Sequence, residues 1–266
     1  MSIFEFNDLE IYTFFAVFIR VSVLMAIMPF IGDKQIPKIC KIVFPFLISV
    51  IIFPVLISKG FVDPNNSKIW SSSVLGILKT ISIEVLFALC IGFTCRVFFD
   101  VLSIGGNIFG QLMGLGAASQ FDPTSESQTQ VLGRIKLVLG MLIFITINGH
   151  HLMIRSLYNS FKFVGIGQAH FSERYIEQLT SIVTSVMRIG FQLAGPMVVT
   201  FILLNIFYGV MAKAIPQLNI LILSFSISSF IGFFVLHSSI PEFGNLMGGW
   251  FMGMENRITQ VMVSLR

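Results

Sequence analysis

Charge is scarce in this sequence. Asp, Glu, Lys and Arg together make up 11% of 266 residues, against about a quarter in a typical soluble domain. A chain of this length has enough residues for a good core, yet a soluble one would still need a charged surface. The scarcity excludes that surface and points to lipid or protein around most of the chain, as does the mean hydropathy of +0.88. Cysteine is scarce too. Cys40, Cys90 and Cys95 are odd in number and lack CxxC or Cys/His spacing, which argues against a disulfide framework or a zinc site and leaves small buried hydrophobes as their reading. The 17 Lys and Arg against 13 Asp and Glu give a net charge of +4, without a run of five basic residues. Nucleic-acid binding needs clustered cations with interleaved aromatics, and no such patch is present. Also missing are the GxxxxGK[ST] phosphate loop, the HExxH zinc helix and the GxSxG elbow. No enzyme, cofactor or metal site is therefore expected. Energy for any active transport would come from an ion gradient or a partner ATPase.

What the chain does have is long apolar runs. A membrane-crossing helix needs about 20 mostly apolar residues. Ile11–Ile31 meets this with Arg20 as its only charge before the loop, and the acidic Met1–Glu10 lacks the layout of a cleavable signal, so a retained first span is expected. Further segments are Ile42–Ile57 with Pro45 and Pro54, Val74–Phe99 with Lys79, Glu84 and Arg96, Leu137–Ile147 followed by Leu152–Phe163, Ile189–Ala212 with Pro196, and Ile215–Leu236. The reading is an all-α protein with about six hydrophobic spans. Prolines and charges inside spans need polar partners that lipid does not offer, so several segments are expected to bury against protein. The positive-inside rule does not orient the chain. Lys34, Lys38, Lys41, Arg96, Arg134, Lys136 and Lys213 would lie on one side, and Lys59, Lys68, Arg155, Lys162, Arg174, Arg257 and Arg266 on the other, seven against seven.

Two amphipathic stretches flank the last spans. In the first, Tyr175, Ile176, Leu179, Ile182, Val183 and Val186 share a face, with Ser172 as the expected N-cap. In the second, Met247, Trp250, Phe251, Met254, Ile258, Val261, Met262 and Leu265 recur at helical spacing, with Glu255, Gln260 and Ser264 on other faces. That tail is expected either at the membrane interface or against a partner, and its few basic residues favour a partner.

The least generic stretch is Gly105–Pro123. Gly106, Gly110, Gly114 and Ala118 recur every four residues, a stripe that lets two helix backbones approach closely. Five glycines in twelve residues also suit a segment that bends and re-forms. Ordinary helix packing and a flexible, uncharged gate are both open readings here. Favouring the gate, no charge occurs between Asp100 and Asp122, and Phe109, Gln111 and Met113 supply bulky, neutral or deformable groups. Arg20 and Glu84 stand inside apolar spans and are candidates to pair with each other or with another subunit. His150 and His151 are adjacent at an apparent helix end, and capping or an interface is expected of them rather than a shared metal. Pro216, Gln217 and Asn219 lie in the Ala212–Ile220 link, expected to be the tip of a tight helical hairpin.

In this order, Arg20 with Pro29, Pro37, Glu84 with Gly92, the glycine-rich stretch ending in Asp122-Pro123, Asn148-Gly149-His150, Ala194 with Pro196, Asn205 with Gly209 and Pro216-Gln217-Leu218-Asn219 resemble the FliR family of flagellar biosynthesis proteins and its virulence-secretion counterpart SctT. The likeness spans nearly the whole chain and sits nearer FliR. Two departures are Lys213, where arginine is common, and Phe225-Ser226, where Phe-Pro is frequent. The resemblance implies an export-gate component of a type III secretion system, in the bacterial inner membrane within the flagellar basal body. It implies a FliP-like part over 1–170 fused to a FliQ-like hairpin and C-terminal amphipathic helix over 171–266. The partners would be FliP-like, FliQ-like and FlhB-like subunits in a conical helical assembly, with unfolded exported proteins as substrates. It implies that the stretch 105–123 is a channel plug, with Gly106, Phe109, Gly110, Gln111, Met113, Gly114 and Gly116 as its gate residues. The alternative is a small secondary transporter with Arg20 and Glu84 as coupling residues; an intramembrane enzyme lacks any nucleophile or metal set.

Overall fold

A computed structural model describes residues 7–28, 36–113, 130–217 and 219–266, and among these every regular element is a helix. Helix α1 is Asp8–Ile27 and α2 is Cys40–Ser58; a short 3-10 turn, Pro64–Asn66, leads into α3, Ser67–Ser71. Then come α4 (Val74–Leu112), α5 (Gln130–Thr146), α6 (Gly149–Phe163), α7 (Glu173–Ala214), α8 (Ile220–Ser238), α9 (Ile240–Met252) and α10 (Met254–Ser264). Helices α1, α2, α4 and α7 are long and apolar enough to cross a membrane, and six spans result if α5–α6 and α8–α10 each count as one broken span.

Two compact units interleave along the chain. The first takes the residues up to Phe98, His150–Ile182 and Gly253–Arg266; the second takes Phe99–Gly149 and Val183–Met252. In the first unit, α1 buries Thr13, Ala16, Val17, Arg20, Val21, Leu24 and Met25, a stripe of three- and four-residue steps that identifies one inward face. Helix α2 lies along α1 through edge-on rings: Phe14 sits 6.0 Å from Phe46 and 5.5 Å from Phe53, and Phe18 sits 5.9 Å from Phe46. Its inward stripe is only Pro45, Ser49, Phe53 and Leu56. The Ser49 hydroxyl donates to the Pro45 carbonyl at 2.7 Å. The rest of α2, from Ile42 to Val55, presents large apolar side chains outward.

In the second unit, the C-terminal half of α4 runs antiparallel to α5. Phe99 meets Phe144 at 5.0 Å between ring centroids, and further up α4 the side chain of Leu102 lies against Gly140, where a Cβ would collide with its methyls. Helix α5 ends at Asn148, whose φ of 58° is one of the left-handed conformations that Asn tolerates. Gly149 then opens α6 beneath the Phe144 ring, which leaves no room for a side chain there. Helices α7 and α8 form a hairpin, in which the Tyr208 hydroxyl lies 3.2 Å from Ser228 Oγ.

Several expected boundaries move. The amphipathic stretch 175–186 does not flank a span but opens one uninterrupted 42-residue helix, α7, with Ile182 and Val186 buried. Pro196 sits inside that helix without ending it. The Ser172 hydroxyl donates 2.9 Å to the Ser264 carbonyl, tying the start of α7 to the end of α10. The tail stripe is covered by this chain itself: Met247, Trp250, Phe251, Met254, Ile258, Val261, Met262 and Leu265 are all buried, as is Ser264, which had been assigned to another face. Of the cysteines only Cys95 is fully buried, and Cys40 is exposed.

Candidate functional site

In the first unit, the charges of α1 and α4 meet. Arg20 and Glu84 are 0% and 1% exposed. The Arg20 guanidinium grips the carboxylate with two bonds, Nε to Oε2 at 2.5 Å and Nη2 to Oε1 at 2.9 Å. Its three remaining N–H groups donate to main-chain carbonyls at the end of α6: Ser160 at 3.1 Å, Val164 at 2.9 Å and Gly165 at 3.2 Å. An arginine has five N–H donors in a fixed fork, and here all five are used. Glu84 accepts a further bond from the Gly167 amide at 2.7 Å. The rings of Phe87 and Phe161 lie 4.6 and 4.4 Å from the Arg20 guanidinium carbon, so the cation is also stacked on π faces. The carbonyls it caps carry the negative end of the α6 dipole. Such a cluster is rigid and chemically closed. A coupling residue needs a free valence for an ion or proton, and this pair has none to spare on the arginine. A cavity of about 530 Å³ lies in the same unit, walled by Thr13, Asp63, Ser67, Lys79, Thr80 and Gln168 among others, but neither Arg20 nor Glu84 lines it.

The glycine-rich stretch has a different character. Gly105 to Leu112 are helical and complete α4, so the first part of the stretch is helix, not loop. Gly106, Phe109, Gly110 and Met113 are buried, while Gln111 is exposed. Gly114 and Gly116, with the rest of the stretch to Pro123, lie outside the described residues. Phe109 and Met113 pack into the core of the second unit with Ala194, Met197 and Phe201 of α7. Gly232 of α8 passes so close to Met113 that a Cβ would strike its side chain.

One residue there escaped the sequence reading. Lys136 counts above among cations outside the spans, yet it lies in α5 and is 3% exposed. Its Nζ sits 3.2 Å from the centroid of Phe109 and 5.7 Å from that of Phe243 on α9. The signal was present. Lys136, Gly140 and Phe144 recur every four residues and so share one face of a helix. Elsewhere, Pro216, Gln217 and Asn219 are exposed at the α7–α8 turn, where the Asn219 side chain accepts from the Ile222 amide at 3.5 Å as an N-cap. His150 and His151 are exposed at the start of α6, their rings 4.2 Å apart. Among the described residues, no group of three or more His, Cys, Asp or Glu is arranged to hold a metal ion.

Comparison with known proteins decides the family. Residues 11–254 match the model of the bacterial export proteins, family 1. The chain belongs to that family. It is 27% identical over 226 residues to the flagellar biosynthetic protein FliR of Bacillus subtilis, covering 84% of each chain. It is 28% identical over 242 residues to the FliR of Buchnera aphidicola from Baizongia pistaciae, covering 90% of this chain and 91% of that one. With the FliR of Escherichia coli the identity is 26% over 247 residues, covering 93% and 91%. The FliR likeness drawn from ordered residues in the sequence is thereby borne out. The Arg20–Glu84 cluster and the buried end of α4 both belong to a bacterial export protein with an all-α, apolar fold.

Proposed function

We propose that this protein is a component of the export gate of the flagellar type III secretion system, helping to form and seal the channel through which unfolded flagellar proteins leave the cell. The observation that carries this reading is the family match over residues 11–254, joined to FliR relatives covered along 84–91% of their own length. The protein acts in the bacterial inner membrane within the flagellar basal body. It conducts chains and catalyses nothing, needs no cofactor, and works beside FliP-like, FliQ-like and FlhB-like subunits. Residues 1–170 are its FliP-like part and 171–266 its FliQ-like part, the latter presenting Pro216, Gln217 and Asn219 at a hairpin tip. The seal is the stretch 105–123, with Gly106, Phe109, Gly110, Gln111, Met113, Gly114 and Gly116 as gate residues: small, neutral and apolar groups close against ions yet yield to any passing polypeptide.

Two physical features support membership of a larger assembly. Helices of 39 and 42 residues are about 58 and 63 Å long at 1.5 Å per residue, roughly twice the ~30 Å of a hydrocarbon core. Much of their apolar surface is also open, Phe230 and Phe234 on α8 being 78% and 67% exposed, and sister subunits would cover what lipid does not. The transporter alternative relied on Arg20 and Glu84 as coupling residues, and their saturated bonding removes its support. Purification in mild detergent is the test. FliP-like and FliQ-like subunits should co-elute with this chain; a lone monomer or homo-oligomer that carries a small solute would refute the assignment.

A further inference from the structure

We propose that Lys136 is a positioning residue that latches the last turns of α4, holding Phe109 in its buried place by a cation–π contact. This rests on the reading of the α4 end as part of a channel seal, but the latch itself is a matter of local geometry. Helices α4 and α5 run antiparallel, with Phe99 on Phe144 and Leu102 on Gly140. Phe109 on Lys136 lies further along the same antiparallel pair, towards the α4 end. Below it Phe99 on Phe144 and Leu102 on Gly140 are apolar contacts; at this rung the contact is a buried cation on an aromatic face. A lysine ammonium is strongly hydrated, and taking it out of water is costly unless something replaces the water. Among the described residues, the groups found over its Nζ are the faces of Phe109 and Phe243. The ammonium is therefore bound to stay where the rings are, and Phe109 is bound to stay with it. Met113, one turn on, is seated against Gly232 and the α7 core by the same arrangement.

The latch predicts a charge requirement that simple packing does not. Lys136→Met keeps a long apolar stem and removes the cation, Lys136→Arg keeps the cation, and Phe109→Leu removes the π face. In the assembled complex, Lys136→Met and Phe109→Leu should each speed amide hydrogen exchange over residues 105–112 on the order of tenfold, the loss expected for one desolvated cation–π contact. Lys136→Arg should stay near the parent rate, and the Lys136→Met/Phe109→Leu pair should exchange little faster than either single variant. Ion leakage across membranes containing the complex should rise in the same two single variants, with a deletion of residues 110–116 as the reference for an open seal. Unchanged exchange in Lys136→Met, or exchange in Lys136→Arg as fast as in Lys136→Met, would overturn the latch. Fast exchange in Lys136→Met together with a deletion that does not leak would leave the latch standing and remove the seal reading on which its function rests.

Discussion

At the scale of single residues, two buried cations are satisfied in opposite ways. Arg20 spends every N–H on a carboxylate or a helix-end carbonyl, whereas Lys136 meets aromatic faces. Breaking a buried ion pair from one side leaves the other charge uncompensated, which costs about 3–5 kcal/mol. Glu84→Leu should therefore lower the thermal stability of the purified complex sharply, and Arg20→Met should do the same. The double variant Arg20→Met/Glu84→Leu should recover much of either loss, because two apolar groups leave no stranded charge. Thermal unfolding of the four proteins checks this; losses that simply add would show that the two residues do not act as one unit. The sequence reveals that Arg20 and Glu84 need partners, since charge inside an apolar span is costly wherever it lies. It does not reveal Ser160, Val164, Gly165 and Gly167 as the remaining partners, because main-chain carbonyls and amides leave no mark in a sequence. Lys136 was misjudged for a related reason. A lysine near a polar, turn-prone stretch reads as solvent-facing until Gly140 and Phe144 are recognised on its own face.

At the scale of elements, apolar periodicity identifies helices well and their ends less well. Span α2 was expected at Ile42–Ile57 and is found at Cys40–Ser58. Helix α4 was expected to stop near Phe99 and continues to Leu112, because glycine weakens a helix without forbidding it when neighbours pack on both sides. Pro196 likewise does not break α7, where the Thr200 hydroxyl donates to the Pro196 carbonyl at 2.8 Å. The C-terminal stripe was legible as a stripe but not in its destination, since spacing gives the face of a helix and not what covers it. Phe251 is fully buried, with the rings of Phe99 and Phe144 at 5.0 and 5.1 Å. Phe251→Ala should destabilise the protein by about 3–5 kcal/mol, the range for emptying a buried phenylalanine site. Its neighbour Met252, 68% exposed, should tolerate alanine within about 0.5 kcal/mol. Parallel denaturation of the two variants separates a self-docked tail from one that waits for a partner; equal effects would contradict the docking seen here.

At the scale of the whole molecule, the family match and the composition converge on one physical idea. This chain carries too little charge for a water-facing surface and has bent or charged apolar helices, as fits a member of a bacterial export family. The interleaving of two compact units along the chain could not be foreseen from a sequence read in linear order, because α4 and α7 each pass from one unit into the other. The central claim is the proposal that the stretch 105–123 closes a passage, in a complex that still assembles when residues 110–116 are removed. Ion leakage through membranes containing the complex lacking residues 110–116 tests this most directly. The account predicts clear leakage with FliP-like and FliQ-like subunits still bound in normal amounts. A fully assembled complex as tight as the parent would contradict it.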